Sequence, residues 1–218
     1  MSGDVTFRIA RRTFVGALTA CCVSAFAPLA FAQTESALPA AKDALSGQAL
    51  LDALRRGGYV IYIRHTSTDF GQNDEGMTSF DDCTKQRNLT DQGRAEARAI
   101  GAAIAKLQIP ISDAVASPFC RTVETAKLVF GRATISNAVR GGPADNPERY
   151  ADLRKLLSTP VPRGGNLAIA SHGNPFRSVA GTPYLAEGES AVIEPLGNNR
   201  FRIVARITKD DWSKLGAS

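Results

Sequence analysis

Two apolar runs, Tyr59-Val60-Ile61-Tyr62-Ile63 and Leu167-Ala168-Ile169-Ala170, constrain the fold of this 218-residue chain more than anything else in it. A strand with one wet face alternates apolar and polar side chains; these runs do not alternate, so both faces of each must be covered. That is the environment of a central strand in a parallel sheet flanked by helices. Each run passes almost directly into a histidine, His65 after Arg64 and His172 after Ser171, and the chain has only these two. Ligands bind at the carboxyl edge of an open α/β sheet. A single histidine there would read as a satisfied structural residue; both histidines at strand ends point to a site.

The remaining pattern alternates helix and strand. Leu50, Leu51 and Leu54 fall at helical spacing in Gln48 to Arg56, and Gly57-Gly58 stops that helix. Residues 66–88 are polar and form a long loop over the first strand end, a type of segment that is usually functional in a compact domain. Thr90 or Asp91 caps a helix whose apolar face is Ile100, Ala103, Ile104 and Leu107, with Glu96 and Arg98 expected to look outward and Pro110 ending it. A strand at Asp113 to Ala116, a helix from Phe119 to Phe130, an extended run Thr134 to Val139, a Gly/Pro/Asn loop at Gly141 to Arg149, a helix Tyr150 to Leu157 and a strand Asn166 to Ala170 follow. Ala191 to Leu196 and Phe201 to Ile207 flank Gly197-Asn198-Asn199 as a hairpin. This predicts a three-layer α/β/α sandwich, its sheet mostly parallel and its helices on both faces.

The amino-terminal residues read differently. Arg8, Arg11 and Arg12 precede an apolar stretch from Phe14 to Phe31, and Ala30-Phe31-Ala32 before Gln33 has the form of a signal-peptidase site, so residues 1–32 are expected to be a cleaved export signal. Arg11-Arg12 followed by Thr13-Phe14-Val15 resembles a twin-arginine signal, with an ordinary secretory signal as the alternative, so the export partner is the twin-arginine or the general machinery. The stretch is interrupted by Pro28 and is marginal for spanning a bilayer, so no stable membrane insertion is expected after cleavage. Leu18-Thr19-Ala20-Cys21 also has the look of a lipobox, but lipidation there would leave Val23 to Phe31 as an apolar tail. Residues 33–46 are an Ala/Ser/Thr-rich leader and 47–218 the folded domain.

Removing residues 1–32 takes away three arginines and Asp4, and the net charge of +5 falls to +3. Neither that surplus nor any Lys/Arg run suggests nucleic acid. Cys21 and Cys22 leave with the signal, so the exported domain keeps Cys83 and Cys120, for which an oxidising compartment makes a disulfide the favoured state and two buried free thiols the alternative.

Two arginines stand with the histidines. Arg64 precedes His65, and Arg121 lies just past the strand Asp113 to Ala116. A phosphoryl dianion needs fixed, always-protonated, bidentate donors, and guanidinium groups supply them. At this point the sequence resembles the histidine phosphatase superfamily, with its phosphoglycerate mutase-like fold. Arg64-His65-Thr66 is similar to that family's Arg-His motif on the first strand. Arg87-Asn88-Leu89-Thr90-Asp91-Gln92-Gly93 is similar to its helix-opening signature, Ser117-x-x-x-Arg121-Thr122-x-x-Thr125-Ala126 to the segment bearing the second arginine, and Ser171-His172-Gly173-Asn174 to the second histidine motif. The four stand in family order over residues 59–174.

The resemblance implies hydrolysis of a phosphomonoester through a phosphohistidine on His65, with Arg64, Arg121 and His172 binding the phosphoryl oxygens and Thr68 and Asn174 as further donors. It implies no cofactor, and the sequence offers no His/Asp/Glu cluster with metal-ligand spacing. The acid that protonates the leaving oxygen departs from the pattern: Thr134 to Arg140 holds no carboxylate, and Gly173 stands where one branch of the family carries Asp. Glu189 is the preferred candidate, with Glu187, Glu124 and Asp82 as alternatives. The expected substrate is a small or envelope-associated phosphate ester met outside the cytoplasm by a small exported bacterial member of the family. A mutase is disfavoured by the absence of long insertions, and a protein phosphohistidine phosphatase by export. A phosphate-binding or regulatory module with lost or very restricted turnover is the reading from another class.

Overall fold

The computed structural model describes residues 44–141, 146 and 148–216. The expected signal, most of the leader and part of the Gly141 to Arg149 loop lie outside them. The described residues carry a six-stranded sheet in the order β3-β2-β4-β1-β5-β6. β1 (Val60–Arg64), β4 (Asn166–Ser171), β2 (Ile111–Ala116) and β3 (Thr134–Ile135) run parallel, and β5 (Ser190–Pro195) is antiparallel to both β1 and β6 (Phe201–Ile207). The two apolar runs are thus paired neighbours at the centre of the sheet, Val60 beside Leu167 and Arg64 beside Ser171.

Period-two geometry splits each central strand between two cores. Ile61 and Ile63 face α1 (Gly47–Arg56), α2 (Asp91–Lys106) and α3 (Cys120–Phe130) through Leu54, Ile100, Ala126 and Val129. Val60 and Tyr62 face α4 (Ala151–Ser158) and α5 (Gly173–Ala180) through Leu153, Leu157, Phe176 and Val179. All four of these β1 side chains are fully buried, and full burial of one such aliphatic side chain contributes roughly 1.5–3 kcal/mol. The three-layer sandwich expected from the sequence is the observed one.

Two local expectations need correction, and one helix has no counterpart in the sequence reading. The run Thr134 to Val139 pairs only at Thr134–Ile135 and then turns into a one-turn 3-10 helix, Asn137–Val139, because the Ser136 hydroxyl caps Ala138. A helix follows His172 directly; Pro175 sits in its first turn, where the missing N–H costs nothing. Glu96 does not look outward: it is buried, accepts the Ser67 amide (3.2 Å) and hydroxyl (2.7 Å), and pairs with Lys209. A carboxylate on α2 therefore anchors the chain where it leaves β1.

Candidate active site

Adjacent parallel strands deliver their carboxyl ends to one place. The His65 amide donates to the Ser171 carbonyl (3.0 Å) and the Ser117 amide to the Ala170 carbonyl (3.0 Å), so Ser117, His172 and His65 stand side by side past β2, β4 and β1. The histidine rings meet edge to face with centroids 5.6 Å apart. Ser117 Oγ lies 2.8 Å from Nε2 of His172, and the Tyr62 hydroxyl donates to the His172 carbonyl (2.7 Å).

His65 is 2% exposed, and its Nδ1 lies 3.0 Å from the Thr66 carbonyl oxygen. A carbonyl only accepts, so Nδ1 carries the proton and the neutral ring keeps its lone pair on Nε2. Loss of hydration on burial pushes this imidazole down to about 3; the bond to Thr66 works the other way, and Arg121, Arg64 and Arg87 push it down further. His172 is held well below the usual histidine range, first by lost hydration and then by Arg121. Burial and the neighbouring guanidinium charges favour the neutral form of both rings.

These residues line a cavity of about 260 Å³ together with Arg87, Phe119, Arg140, Arg149, Tyr150, Gly173, Asn174, Pro175 and Tyr184. Five of its walls are guanidinium groups, and among the described lining residues none is a carboxylate. In each of the five arginines Nε is buried and makes no hydrogen bond. Arg64 reaches the Leu185 carbonyl (2.9 Å) and Glu187 (3.4 Å), and Arg121 reaches Asp74 Oδ1 (3.0 Å) and the Arg87 carbonyl (3.1 Å). Burial alone would raise the Asp74 carboxyl, but the Arg121 guanidinium and the Arg87 amide hold it below the ordinary carboxylate range. Cys83 and Cys120 form a disulfide, Cα atoms 5.8 Å apart. It ties the long loop bearing Asp74 and Arg87 to the start of the helix bearing Arg121. Among the described residues no group of three His, Cys, Asp or Glu side chains could hold a metal ion, and no helix is long and apolar enough to cross a membrane.

The model of the histidine phosphatase superfamily, branch 1, matches residues 60–140, the stretch that contains Arg64, His65, Arg87 and Arg121. The match covers less than half of the chain and is a similarity to that superfamily over these residues. No curated protein matches its sequence significantly. One solved structure with a TM-score of 0.50 shares the fold, and others are more distantly similar. The protein histidine phosphatase SixA in complex with tungstate is 14% identical, with 70% of this chain and 98% of that one covered and a TM-score of 0.50. A mycobacterial glucosyl-3-phosphoglycerate phosphatase with VO3 is 14% identical (68% and 98% covered, TM-score 0.47), and an Entamoeba histolytica phosphoserine phosphatase variant with phosphoserine is 12% identical (68% and 95% covered, TM-score 0.47).

Four of the residues singled out from sequence, Arg64, His65, Arg121 and His172, converge on the cavity, and Asn174 joins them. Glu189, the preferred acid, is not among the lining residues: its carboxylate accepts Arg206 Nε (2.7 Å) and the Ala186 amide (2.7 Å). Glu187 is the carboxylate beside the motif, but it lies against Nδ1 of His65 at 3.8 Å. Glu124 is paired with Arg94, and Asp82 caps the 3-10 turn Cys83–Lys85. Thr68, expected to bind substrate, instead donates its hydroxyl (2.7 Å) and its amide (3.2 Å) to Glu187. Sequence reasoning quoted Arg87 only as part of a motif and passed over Arg140 and Arg149. Their position between a strand end and a Gly/Pro loop was the available signal.

Proposed function

We propose that this chain is an exported phosphatase that hydrolyses phosphomonoesters through a phosphohistidine on His65. The observation that carries the reading is a neutral imidazole, its Nδ1 proton committed to Thr66, standing in a cavity walled by five guanidinium groups and a second neutral histidine. A buried neutral ring is a nucleophile that needs no prior deprotonation. The Nε2 lone pair forms the N–P bond as the ester P–O bond breaks, and the leaving oxygen takes its proton from the entering water, whose oxygen ends on phosphorus. Water then adds to phosphorus, the N–P electron pair returns to Nε2, and inorganic phosphate departs. Arg64, Arg87 and Arg121 neutralise the equatorial oxygens in both steps, where fixed charges in a dry site count most. His172, fixed by Ser117, offers a ring N–H to the same oxygens. The disulfide, together with the basic and apolar character of residues 1–32, supports action outside the cytoplasm.

The test is hydrolysis of p-nitrophenyl phosphate between pH 4 and 8, with EDTA present and His65→Ala beside the parent protein. Saturable release of phosphate that survives EDTA and disappears in the variant is the expected result. Phosphate binding with no turnover on any ester would leave a binding module instead.

A further inference from the structure

The charge in the cavity exceeds what one phosphoryl group requires, and its distribution is uneven. Arg64 has Glu187 within 3.4 Å, and Arg121 has Asp74 within 3.0 Å. Arg87, Arg140 and Arg149 have no ion pair among the described residues; Arg87 stands with the arginines assigned to the transferred group, which leaves Arg140 and Arg149. Each instead lays its guanidinium against an aromatic ring, Arg140 at 5.3 Å from the Phe80 centroid and Arg149 at 4.9 Å from that of Tyr150, with Nε buried and unbonded. Both line the same cavity, and a specific contact holds this wall together. Gly141 adopts φ +92°, and a Cβ on it would come within 2.4 Å of the Tyr150 ring. Only glycine lets Tyr150 close on the backbone next to Arg140, and this close approach brings Arg149 to the same wall.

Resting on the phosphatase reading above, we propose that Arg140 and Arg149 form a second anion subsite, and that the substrate carries a second phosphoryl group beside the one transferred. A phosphoryl group suits the pair because each guanidinium presents a planar fork of donors to its oxygens. An uncharged leaving group would leave both cations unmatched beside three others, a like-charge cluster that a second dianion relieves. The second group is attached either directly, as in a diphosphate, or through a carbon skeleton, as in a sugar bisphosphate.

Binding is read without turnover by calorimetry with methylenediphosphonate, whose P–C–P link is not hydrolysed, against orthophosphate. The full-length protein is expected to prefer the diphosphonate by about tenfold or more, and Arg140→Gln/Arg149→Gln to lose about tenfold of that preference ratio. Orthophosphate binding by the variant reports that it is folded. Equal affinity for the two ligands in the parent protein, or a variant that weakens both in the same proportion, overturns the subsite. Turnover of pyrophosphate, fructose 1,6-bisphosphate and fructose 6-phosphate separates the two attachments: a higher kcat/KM on one of the first two supports the subsite and names the linkage, and equal values on all three overturn it. Failure of the phosphatase reading is seen separately, as no hydrolysis of p-nitrophenyl phosphate, and leaves the calorimetric result standing.

Discussion

Oε1 of Glu187 lies 3.8 Å from Nδ1 of His65 and accepts the Thr68 hydroxyl at 2.7 Å. It also contacts Arg64 at 3.4 Å, so one carboxylate braces the nucleophile and its neighbouring arginine from the side away from Nε2. In the proposed reaction Glu187 would act as a positioning residue. Glu187→Gln keeps an acceptor for Thr68 but removes the charge, and kcat is expected to fall about 10- to 100-fold, the cost of displacing a reacting group by about an ångström. KM for p-nitrophenyl phosphate should change less. Thr68→Val should show a smaller loss of the same kind; kinetics in which Glu187→Gln alters KM alone would assign Glu187 to substrate binding.

Glu189 poses the opposite case. Its side chain and that of Arg206 are both mostly buried and bonded at 2.7 Å, and its other oxygen holds the Ala186 amide. Removing the charge leaves Arg206 with the Pro183 and Tyr184 carbonyls as acceptors but no counter-ion. Glu189→Gln is expected to cost about 2–3 kcal/mol in urea unfolding, toward the lower end for breaking a buried pair, while kcat stays within about threefold of the parent value. A collapse of kcat with unchanged stability would make Glu189 a catalytic acid.

The contrast between these two glutamates shows what could be read from the sequence. β1 and β4 announced themselves because full burial on both faces forbids alternation, and the residue after such a strand has only the sheet edge to occupy; His65 and His172 were therefore legible. Arg121 was legible through its distance from β2. The direction of a loop carboxylate was not, because Glu187 and Glu189 are two residues apart and their separate partners, Thr68 and Arg206, come from opposite ends of the chain. Glu96 was misread for a related reason: its helical phase suggested solvent, but Ser67 and Lys209, distant in sequence, supply the hydrogen bonds that make its burial tolerable. Arg140 and Arg149 bound a Gly/Pro/Asn loop, a signal that does not say where the loop folds, and the Gly141–Tyr150 contact that sets this wall is visible only in the structure.

The disulfide makes a prediction about substrate binding as well as stability. Cys83 and Cys120 are 37 residues apart in sequence, and in the loop-entropy model closing such a loop is worth about 3–4 kcal/mol. Cys83→Ser/Cys120→Ser should lower the urea midpoint accordingly. The loop it tethers holds Asp74, which positions both the Arg121 side chain and the Arg87 backbone. Loosening it is expected to raise KM for p-nitrophenyl phosphate about three- to tenfold through less well fixed phosphate donors. Titration of the unreduced, denatured domain with a thiol reagent should find neither of these cysteines reactive.

Stability should respond to pH in one direction. In the unfolded chain a histidine titrates near 6.5, but in the folded protein His65 is pushed down to about 3 and His172 well below its usual range. Above pH 6.5 both states hold neutral rings, and neither histidine contributes a slope. Below it the unfolded chain takes up protons that the folded site refuses, so stability falls as pH drops, until for His65 the folded ring also protonates near 3. Between pH 7.5 and 5, His65 alone accounts for a loss of roughly 2 kcal/mol, with His172 acting in the same sense. Urea unfolding in phosphate-free buffer at pH 7.5, 6 and 5 measures the slope, and His65→Asn, which cannot take up the proton, should flatten it. Parallel slopes in the two proteins would mean that the folded site accepts a proton on His65 near 6.5, and with it that the ring is not the neutral nucleophile its burial and its bond to Thr66 require.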